Sequence, residues 1–296
     1  DPHDPGNSGH GGQVQMTRAT LSDVLGPALQ EGYAVAGLVC LGWEDMRAYV
    51  RAAEAEGLPV ILQAGPSCRK HTPLPVLGAM FGALAEAAGV PVVAHLDHGY
   101  TEDECRIAIE SGFTSVMYDG SRTPLRQNID DTGRIAEMAH AAGVSCEGEI
   151  GFVGYADGEA SKGTDPGEAA EFARSTGVDA MAISVGNVHL QQNHEGGLDV
   201  PRIRAIEAEC TVPLVIHGGS GVPPEQRGDL ARTSRICKFN IGTDLRMVFG
   251  RSLRDVLAED ADVFDRVAIL SRLDDPVEAA ARIAIRSIGP KRGENQ

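Results

Sequence analysis

The sequence is short of positive charge, of long apolar runs and of paired cysteines, and each shortage excludes a class of protein. Lysine and arginine number 26 against 42 aspartates and glutamates, a formal net charge of −16. Nucleic acid is excluded as a partner because its phosphates require a basic face. No apolar stretch approaches the roughly 20 residues of a membrane span, and no signal peptide is visible, so we expect no membrane partner.

The cysteines carry no pattern of a disulfide framework or a zinc finger. Six are scattered along the chain without a CxxC pair: Cys40, Cys68, Cys105, Cys146, Cys210 and Cys237. Reduced thiols in a cytoplasmic protein are the simplest interpretation.

The length of 296 residues suffices for one large α/β barrel or for two ordinary domains. Residues 1–15 contain no apolar run, and we interpret them as a disordered leader or an expression remnant, with Met16 as the expected native start. Residues 289–296 are expected to be a frayed tail. A single domain is therefore predicted over residues 16–288.

Short apolar segments alternate with longer amphipathic segments from Met16 onward, at a spacing of roughly 30 residues. Eight of these segments are predicted as strands, and two further helices close the chain. A doubly wound sheet uses similar units. The count of eight, and the lack of a glycine-rich dinucleotide fingerprint after the first strand, favour a (β/α)8 TIM barrel with extra C-terminal helices.

Histidines stand at or just after the ends of three predicted strands, and the C-terminal strand ends carry the active site in such barrels. These are His98, His189 and His217. Three histidines at one level of a barrel predict a zinc site with an open position. The alternative is three loop histidines without a common role. Asp97 precedes His98 directly, and His95 shares its face, which predicts a supporting role for His95.

Glycine-rich turns follow the last two predicted strands, where barrels commonly bind phosphate. Their backbone N–H groups are unobstructed by side chains and can cradle an anion. The alternative is a pair of tight strand-to-helix turns. The turn residues in question are Gly218, Gly219, Ser220 and Gly221, followed by Asn240, Gly242 and Thr243.

Together these motifs resemble the class II, metal-dependent ketose-bisphosphate aldolases, in particular the branch with tagatose-bisphosphate and class IIb fructose-bisphosphate aldolases. The resemblance extends from Met16 to about residue 288. The segments that carry it are 92–99 (VVAHLDHG), 147–151 (EGEIG), 188–189 (VH), 216–222 (IHGGSGV) and 238–244 (KFNIGTD).

The resemblance implies roles for individual residues. His98, His189 and His217 resemble the ligands of the catalytic Zn2+. Asp97 resembles the acid that acts on the aldehyde oxygen. Asp119 and Glu149 resemble residues near a second or resting metal position. Gly218, Gly219, Ser220, Asn240, Gly242 and Thr243 resemble the clamp for phosphate and substrate, which a monovalent cation (Na+ or K+) assists.

The activity implied is lyase chemistry in carbohydrate metabolism: a phosphorylated ketose is cleaved reversibly through a zinc-stabilised enediolate, with release of dihydroxyacetone phosphate and an aldehyde. A lysine Schiff base is not needed, and only four lysines are present. The partners implied are a small phosphorylated sugar and further copies of the chain, in a homodimer or homotetramer.

The sequence also departs from the family pattern. The family usually has glycine directly after the second histidine and a lysine soon after, whereas here Leu190 follows and the lysine is missing. Residues 154–157 (GYAD) replace smaller residues and a glutamate. These changes predict a non-standard substrate. They leave open a zinc lyase or aldolase for an unphosphorylated keto compound, and a non-catalytic aldolase-like subunit.

Overall fold

The sheet of this protein is a closed ring of parallel strands, with helices packed around the outside. The computed structural model describes residues 17–195 and 197–291. The expected leader, 1–15, and the last five residues of the expected tail lie outside the described residues. The strands are β1 (Arg18–Ala19), β2 (Val35–Cys40), β3 (Val60–Ala64), β4 (Val92–Gly99), β5 (Ser115–Tyr118), β6 (Ser145–Ile150), β7 (Ala180–Ile183), β8 (Leu214–Ile216) and β9 (Ile236–Ile241).

The eight strands from β2 to β9 form the ring, because β9 pairs with β2 and each other strand pairs with the next in the chain. The predicted (β/α)8 barrel is thereby confirmed. β1 was not predicted: it has two residues, too few for a periodic pattern, and it pairs with the start of β4.

Helices connect successive strands, as the alternating pattern predicted. They are α1 (Leu21–Glu31), α2 (Trp43–Glu56), α3 (Pro66–His71), α4 (Leu74–Ala87), α5 (Glu102–Glu110), α6 (Leu125–Ala141), α7 (Pro166–Thr176), α8 (Val200–Glu209), α9 (Pro224–Thr233), α10 (Thr243–Glu259), α11 (Arg266–Ser271) and α12 (Asp274–Ile288). Among the described residues, no helix has both the length and the apolar character needed to cross a membrane.

Two hydrophobic clusters hold the barrel together. The larger one lies between the strands and the outer helices. The smaller one fills the N-terminal end of the barrel, where Leu21, Val24 and Leu25 of α1 pack on Ile61 and Val93. Because α1 closes that end, the opposite end, at which the strands terminate, is the open one.

The C-terminal helix fixes the barrel where the ring closes. α12 packs on α2, and the buried carboxylate of Glu56 accepts hydrogen bonds from Arg282 (2.9 Å) and Arg286 (2.6 and 3.0 Å). A buried carboxylate is tolerated when charged donors surround it in this way. All six cysteines are buried and unpaired, in agreement with the expectation of reduced thiols.

Candidate metal and substrate site

Three histidines meet at the open end of the barrel. His98 lies on β4, His189 follows β7, and His217 comes directly after β8. Each offers a ring nitrogen, and these nitrogens lie within 4.8 Å of one another. His98 and His217 are buried, and His189 is half-buried. The three residues named from the sequence are therefore adjacent in the structure.

A backbone distortion directs His98 into the site. The pairing of β4 with β5 shifts register between Leu96 and Gly99, and His98 has a left-handed φ of 51°. Arg69 supports this conformation because its guanidinium donates to the carbonyl oxygens of Asp97 (2.9 Å) and His98 (2.6 Å). Strained residues of this kind persist only where their surroundings hold them.

Two of the histidines have carboxylate partners on the ring nitrogen that faces away from the site. His98 Nδ1 lies 2.8 Å from Asp119 Oδ2, and His217 Nε2 lies 3.0 Å from Glu147 Oε1. Such carboxylates orient metal-binding imidazoles and fix their tautomer. The other ring nitrogen of His217, Nδ1, is buried and has no hydrogen-bond partner among the described residues.

The donor set fits a divalent transition-metal ion. Burial lowers the pKa of His189 to about 3 and also lowers the pKa of His217, so both rings are neutral and able to bind a metal. Burial acts on His98 in the same direction, but Asp97 and Asp119 outweigh it and raise its pKa to about 10. Neutral imidazoles around an open position are typical of catalytic zinc sites, so binding of a metal ion there would release the proton of His98.

Asp119 and Glu149 form a second cluster with His98, and these three ligand atoms also lie within 4.8 Å of one another. Oε2 of Glu149 is buried without a hydrogen-bond partner among the described residues. Burial holds the pKa of Glu149 well above its usual range, and the nearby Asp119 raises it further. The resemblance to class II aldolases implied a second or resting metal position near these two residues, and this role stays a prediction.

Asp97 lies beside the three histidines and lines the same cavity. Its Oδ1 lies 3.8 Å from His98 Nε2 and has no hydrogen-bond partner among the described residues. Burial raises the pKa of Asp97, but its charged neighbours, the positive His98 foremost, outweigh burial and hold the pKa below its usual value. The residue is therefore an ionised carboxylate with a free oxygen, which is what a proton acceptor requires.

The two glycine-rich turns are joined side by side at the edge of the cavity. Ser220 Oγ accepts hydrogen bonds from the backbone N–H groups of Gly242 and Asp244, each at 3.3 Å. A Cβ atom on Gly218 would lie 2.2 Å from the carbonyl oxygen of Val188, and one on Gly219 would lie 2.7 Å from that of Asn240. Glycine is thus required for this close packing. Thr243 begins α10 beside the same turn.

A buried ionic cluster supports the site from inside the barrel, and the sequence analysis missed it. Lys238 Nζ lies 2.7 Å from Glu147 Oε2 and 3.5 Å from His95 Nε2. The other nitrogen of His95 pairs with Ser115 Oγ at 2.8 Å. His95 thus lies against this ion pair, with its Nε2 also 3.4 Å from Glu147 Oε2.

The segment after β6 is hydrogen-bonded to the backbone of His189, one of the three clustered histidines. Hydrogen bonds connect His189 N to Gly154 O (2.8 Å) and Ala156 N to His189 O (3.0 Å). The ring of Tyr155 consequently lies on the His189 ring, with 5.1 Å between centroids. Leu190 also lines the cavity, in a left-handed conformation with a φ of 59°.

Known proteins agree with this geometry in fold and in family. The family model described as fructose-bisphosphate aldolase class-II matches residues 19–292. The chain belongs to the class II fructose-bisphosphate aldolase family. This confirms the resemblance drawn from the sequence motifs and makes the protein an aldolase, a carbon–carbon lyase.

Individual relatives match this chain over nearly its whole length. A fructose-bisphosphate aldolase of Geobacillus stearothermophilus is 34% identical over 283 residues, with 93% of this chain and 98% of the relative covered. A 6-phospho-5-dehydro-2-deoxy-D-gluconate aldolase of Shouchella clausii is 35% identical over 277 residues, with coverages of 91% and 94%. The crystal structure of the YdjI aldolase from Escherichia coli K12 superimposes with a TM-score of 0.80 at 27% identity, with coverages of 94% and 100%.

Sequence reasoning missed the residues whose roles depend on contacts across the barrel. Arg69 and Tyr155 belong to this group, since Arg69 reaches the site from the short helix α3 and Tyr155 from the irregular segment after β6. Lys238 and Glu147 did leave a signal: both are charged residues inside short predicted strands, and buried charges require partners.

Proposed function

We propose that this aldolase is zinc-dependent and reversibly cleaves a phosphorylated ketose into dihydroxyacetone phosphate and an aldehyde. The observation that carries the proposal is the position of Asp97, an ionised carboxylate with a free oxygen, beside three convergent histidines. His98, His189 and His217 would hold the zinc. When bound, Zn2+ supplies an electrophile for the negative charge of the enediolate.

The residues of the chain account for the proton transfer of the cleavage step. Asp97 accepts the proton of the hydroxyl group that becomes the aldehyde oxygen, and the adjacent carbon–carbon bond breaks. Its electron pair remains with the ketose half as an enediolate, which takes up a proton at carbon to give dihydroxyacetone phosphate. In the condensation direction Asp97 returns its proton to the aldehyde oxygen.

The turns around Ser220 and Thr243 would bind the phosphate of the dihydroxyacetone phosphate half, and Asn240 would contact the same half. Oδ1 of Asn240 is buried without a hydrogen-bond partner among the described residues, so a substrate hydroxyl would satisfy it. A monovalent cation, Na+ or K+, would assist the clamp. The two relatives above are named for a bisphosphate and for a phosphorylated gluconate derivative. The candidate substrates are therefore ketoses whose end remote from the dihydroxyacetone phosphate half carries either a phosphate or a carboxylate.

Purified, zinc-loaded protein would be incubated with a panel of ketose phosphates, and release of dihydroxyacetone phosphate would be followed through its reduction by a coupling dehydrogenase. We expect turnover that chelation abolishes and that added zinc restores. Absence of turnover on every phosphorylated ketose, with zinc bound, would contradict the proposal.

The second candidate is a zinc lyase for an unphosphorylated keto compound, and Leu190 at the cavity favours it. Inhibition by inorganic phosphate would support the first candidate, and insensitivity would support the second. A non-catalytic subunit is disfavoured because Asp97 and the three histidines are all present. We further propose a cytoplasmic homodimer or homotetramer, which sedimentation of the purified protein would test.

A further inference from the structure

Tyr155 is fixed in the wall of the metal cavity by the segment that follows β6. Residues 152–162 form a hairpin, which is closed by two backbone hydrogen bonds of 2.8 Å between Phe152 and Lys162. The chain neighbours of Tyr155 on both sides are hydrogen-bonded to the backbone of His189. The Tyr155 ring therefore lies on the His189 ring, with 31° between the ring planes, and lines the metal cavity.

The cleavage reaction needs a second proton carrier besides Asp97. Asp97 takes the proton of the hydroxyl group that becomes the aldehyde oxygen, whereas the enediolate takes up a proton at carbon. A side chain that delivers this second proton has to reach the cavity and has to carry an exchangeable proton. Among the described residues, six with acidic or basic side chains line the metal cavity: Asp97, His98, Tyr100, Tyr155, His189 and Arg246.

The two tyrosines are the remaining candidates among these six. His98 and His189 would hold the metal ion, and an arginine does not release its proton in a protein. Glu149, next to the histidines, is 1% exposed and does not line the cavity. A tyrosine carries its phenolic proton at neutral pH and is one of the side chains that act as general acids in enzymes.

The carboxylates of the hairpin do not reach the metal cavity. Asp157 and Glu159 line a neighbouring cavity, and Glu159 forms an ion pair with Arg122 at 2.8 Å. Tyr155 lines both cavities. Among the described residues of the hairpin, Tyr155 is thus the only one in the wall of the metal cavity.

Tyr100 lies on the side of the metal position that serves the aldehyde half. It follows Asp97 by three residues, and its ring centroid lies 6.4 Å from that of His98. The guanidinium group of Arg69 lies 5.8 Å from the centroid of the Tyr100 ring. Tyr100 is therefore placed with Asp97, toward the aldehyde oxygen.

Tyr155 lies on the side of the dihydroxyacetone phosphate half. The segment that carries His189 packs on the glycine-rich turn proposed to bind the phosphate, because Gln191 Oε1 lies 2.5 Å from the position that a Cβ atom on Gly221 would take. The Tyr155 ring lies on this same histidine, with 5.1 Å between centroids. Of the two tyrosines, Tyr155 is the one placed toward the half that is protonated at carbon.

We propose that Tyr155 is the catalytic acid that protonates the enediolate at carbon, and that its phenolate removes the same proton in the condensation direction. The inference rests on the proposed function. The O–H bond of Tyr155 breaks, and the electron pair of the enediolate forms the new C–H bond of dihydroxyacetone phosphate. The phenolate regains a proton from water, which the 37% exposure of Tyr155 allows, and Asp97 loses its proton to water.

Hydrogen exchange between dihydroxyacetone phosphate and solvent tests this assignment without any aldehyde. Zinc-loaded protein in D2O should replace one carbon-bound hydrogen of dihydroxyacetone phosphate by deuterium, which proton NMR follows. In Tyr155→Phe the kcat of this exchange should fall about 100–10,000-fold, because the acid is lost. The KM for dihydroxyacetone phosphate should stay within about threefold and the zinc content should be unchanged, because the ring on His189 is kept.

Oxidative trapping of the enediolate separates proton transfer from bond cleavage. Hexacyanoferrate(III) takes two electrons from the enediolate and so removes it without protonation. With a ketose phosphate on which the panel above shows turnover, trapped cleavage by Tyr155→Phe should stay within about threefold of the unaltered protein. Release of dihydroxyacetone phosphate should fall about 100-fold or more. A residue that only supports the fold would lower both rates together.

Two other tyrosines provide the comparison. Tyr33 is buried at the closed end of the barrel, so Tyr33→Phe should leave the exchange unchanged. Tyr100→Phe should lower the exchange far less than Tyr155→Phe does. Loss of exchange in Tyr100→Phe with retention in Tyr155→Phe would overturn the assignment.

The outcomes separate this inference from the proposed function. Absence of exchange in the unaltered zinc-loaded protein, together with absence of turnover on every ketose phosphate, would contradict the proposed function itself. Exchange by Tyr155→Phe within about threefold of the unaltered protein would overturn the role of Tyr155 alone. Loss of zinc from this variant, or an equal loss of trapped and untrapped cleavage, would overturn it too, because the ring would then act only by holding His189.

Discussion

The ammonium group of Lys238 lies 2.7 Å from one carboxylate oxygen of Glu147, and the other oxygen lies 3.0 Å from Nε2 of His217. All three side chains are buried completely. Burial alone would raise the pKa of Glu147, but Lys238 and His217 hold it well below its usual range. The ionised carboxylate accepts the Nε2–H of His217 and so directs the Nδ1 lone pair toward the metal position.

Replacing Lys238 by methionine should therefore affect both stability and metal binding. We expect the free energy of unfolding to fall by about 3–5 kcal/mol, because Glu147 is left as an uncompensated buried charge. We expect zinc affinity to fall about 10–100-fold, because the carboxylate that orients His217 is disturbed. Urea denaturation and zinc titration measure the two quantities. Lys70→Met, at an exposed lysine, is the control, and equal effects of the two variants would contradict this account.

Loss of a ligand histidine should remove the metal. His98→Ala and His217→Ala should each abolish stoichiometric zinc binding, as measured by elemental analysis, and should lower kcat about 1000-fold or more if zinc carries the enediolate charge. His140 is exposed and pairs with Asp179 far from the site, so His140→Ala should retain the metal. Full zinc content in His217→Ala would show that the ion binds elsewhere.

Asp97→Asn should separate metal binding from proton transfer. The amide is close in shape to the carboxylate but cannot accept the hydroxyl proton, so kcat should fall about 100–10,000-fold while zinc remains bound. Steady-state kinetics and elemental analysis on one preparation provide the measurement. If activity survived within about threefold, another group would have to carry the proton.

Leu190→Gly should stabilise the protein, in contrast to most glycine substitutions. Leu190 is half-exposed and left-handed, a conformation that costs a non-glycine residue about 1–2 kcal/mol. Glycine also makes the unfolded chain more flexible, which offsets part of this benefit. We therefore expect the free energy of unfolding to rise by about 0.5–1 kcal/mol. Leu257→Gly, at an exposed leucine of α10, should instead lose about 0.5–1 kcal/mol. Thermal unfolding of both would check the opposite signs, and destabilisation by both would refute the strain argument.

Much of the site could be predicted from the sequence because a parallel barrel places all C-terminal strand ends at one level. His98 and His217 stand at strand ends, and His189 follows a strand end. The predicted strand pattern alone therefore placed all three at the same end of the barrel. The glycine turns around Ser220 and Asn240 were found by the same reasoning.

The remainder depends on contacts that no local pattern encodes. Lys238 and Glu147 are 91 residues apart and meet only because β6 and β9 face each other across the barrel. α3 was missed because six residues show too little periodicity, and its Arg69 reaches the carbonyl of His98 by tertiary packing.

The three histidines come from separate points on the circumference of the ring: His98 lies on β4, and His189 and His217 follow β7 and β8. A half-barrel ending before β8 holds two of them at most, so the complete site exists only when the ring has closed. An ion bound there stabilises the closed ring over every open form, by an amount that grows with the logarithm of its free concentration. If the chain binds a metal ion as proposed, uptake of the ion would accompany closure of the ring, and scarcity of the ion would leave more chains unclosed and open to proteolysis.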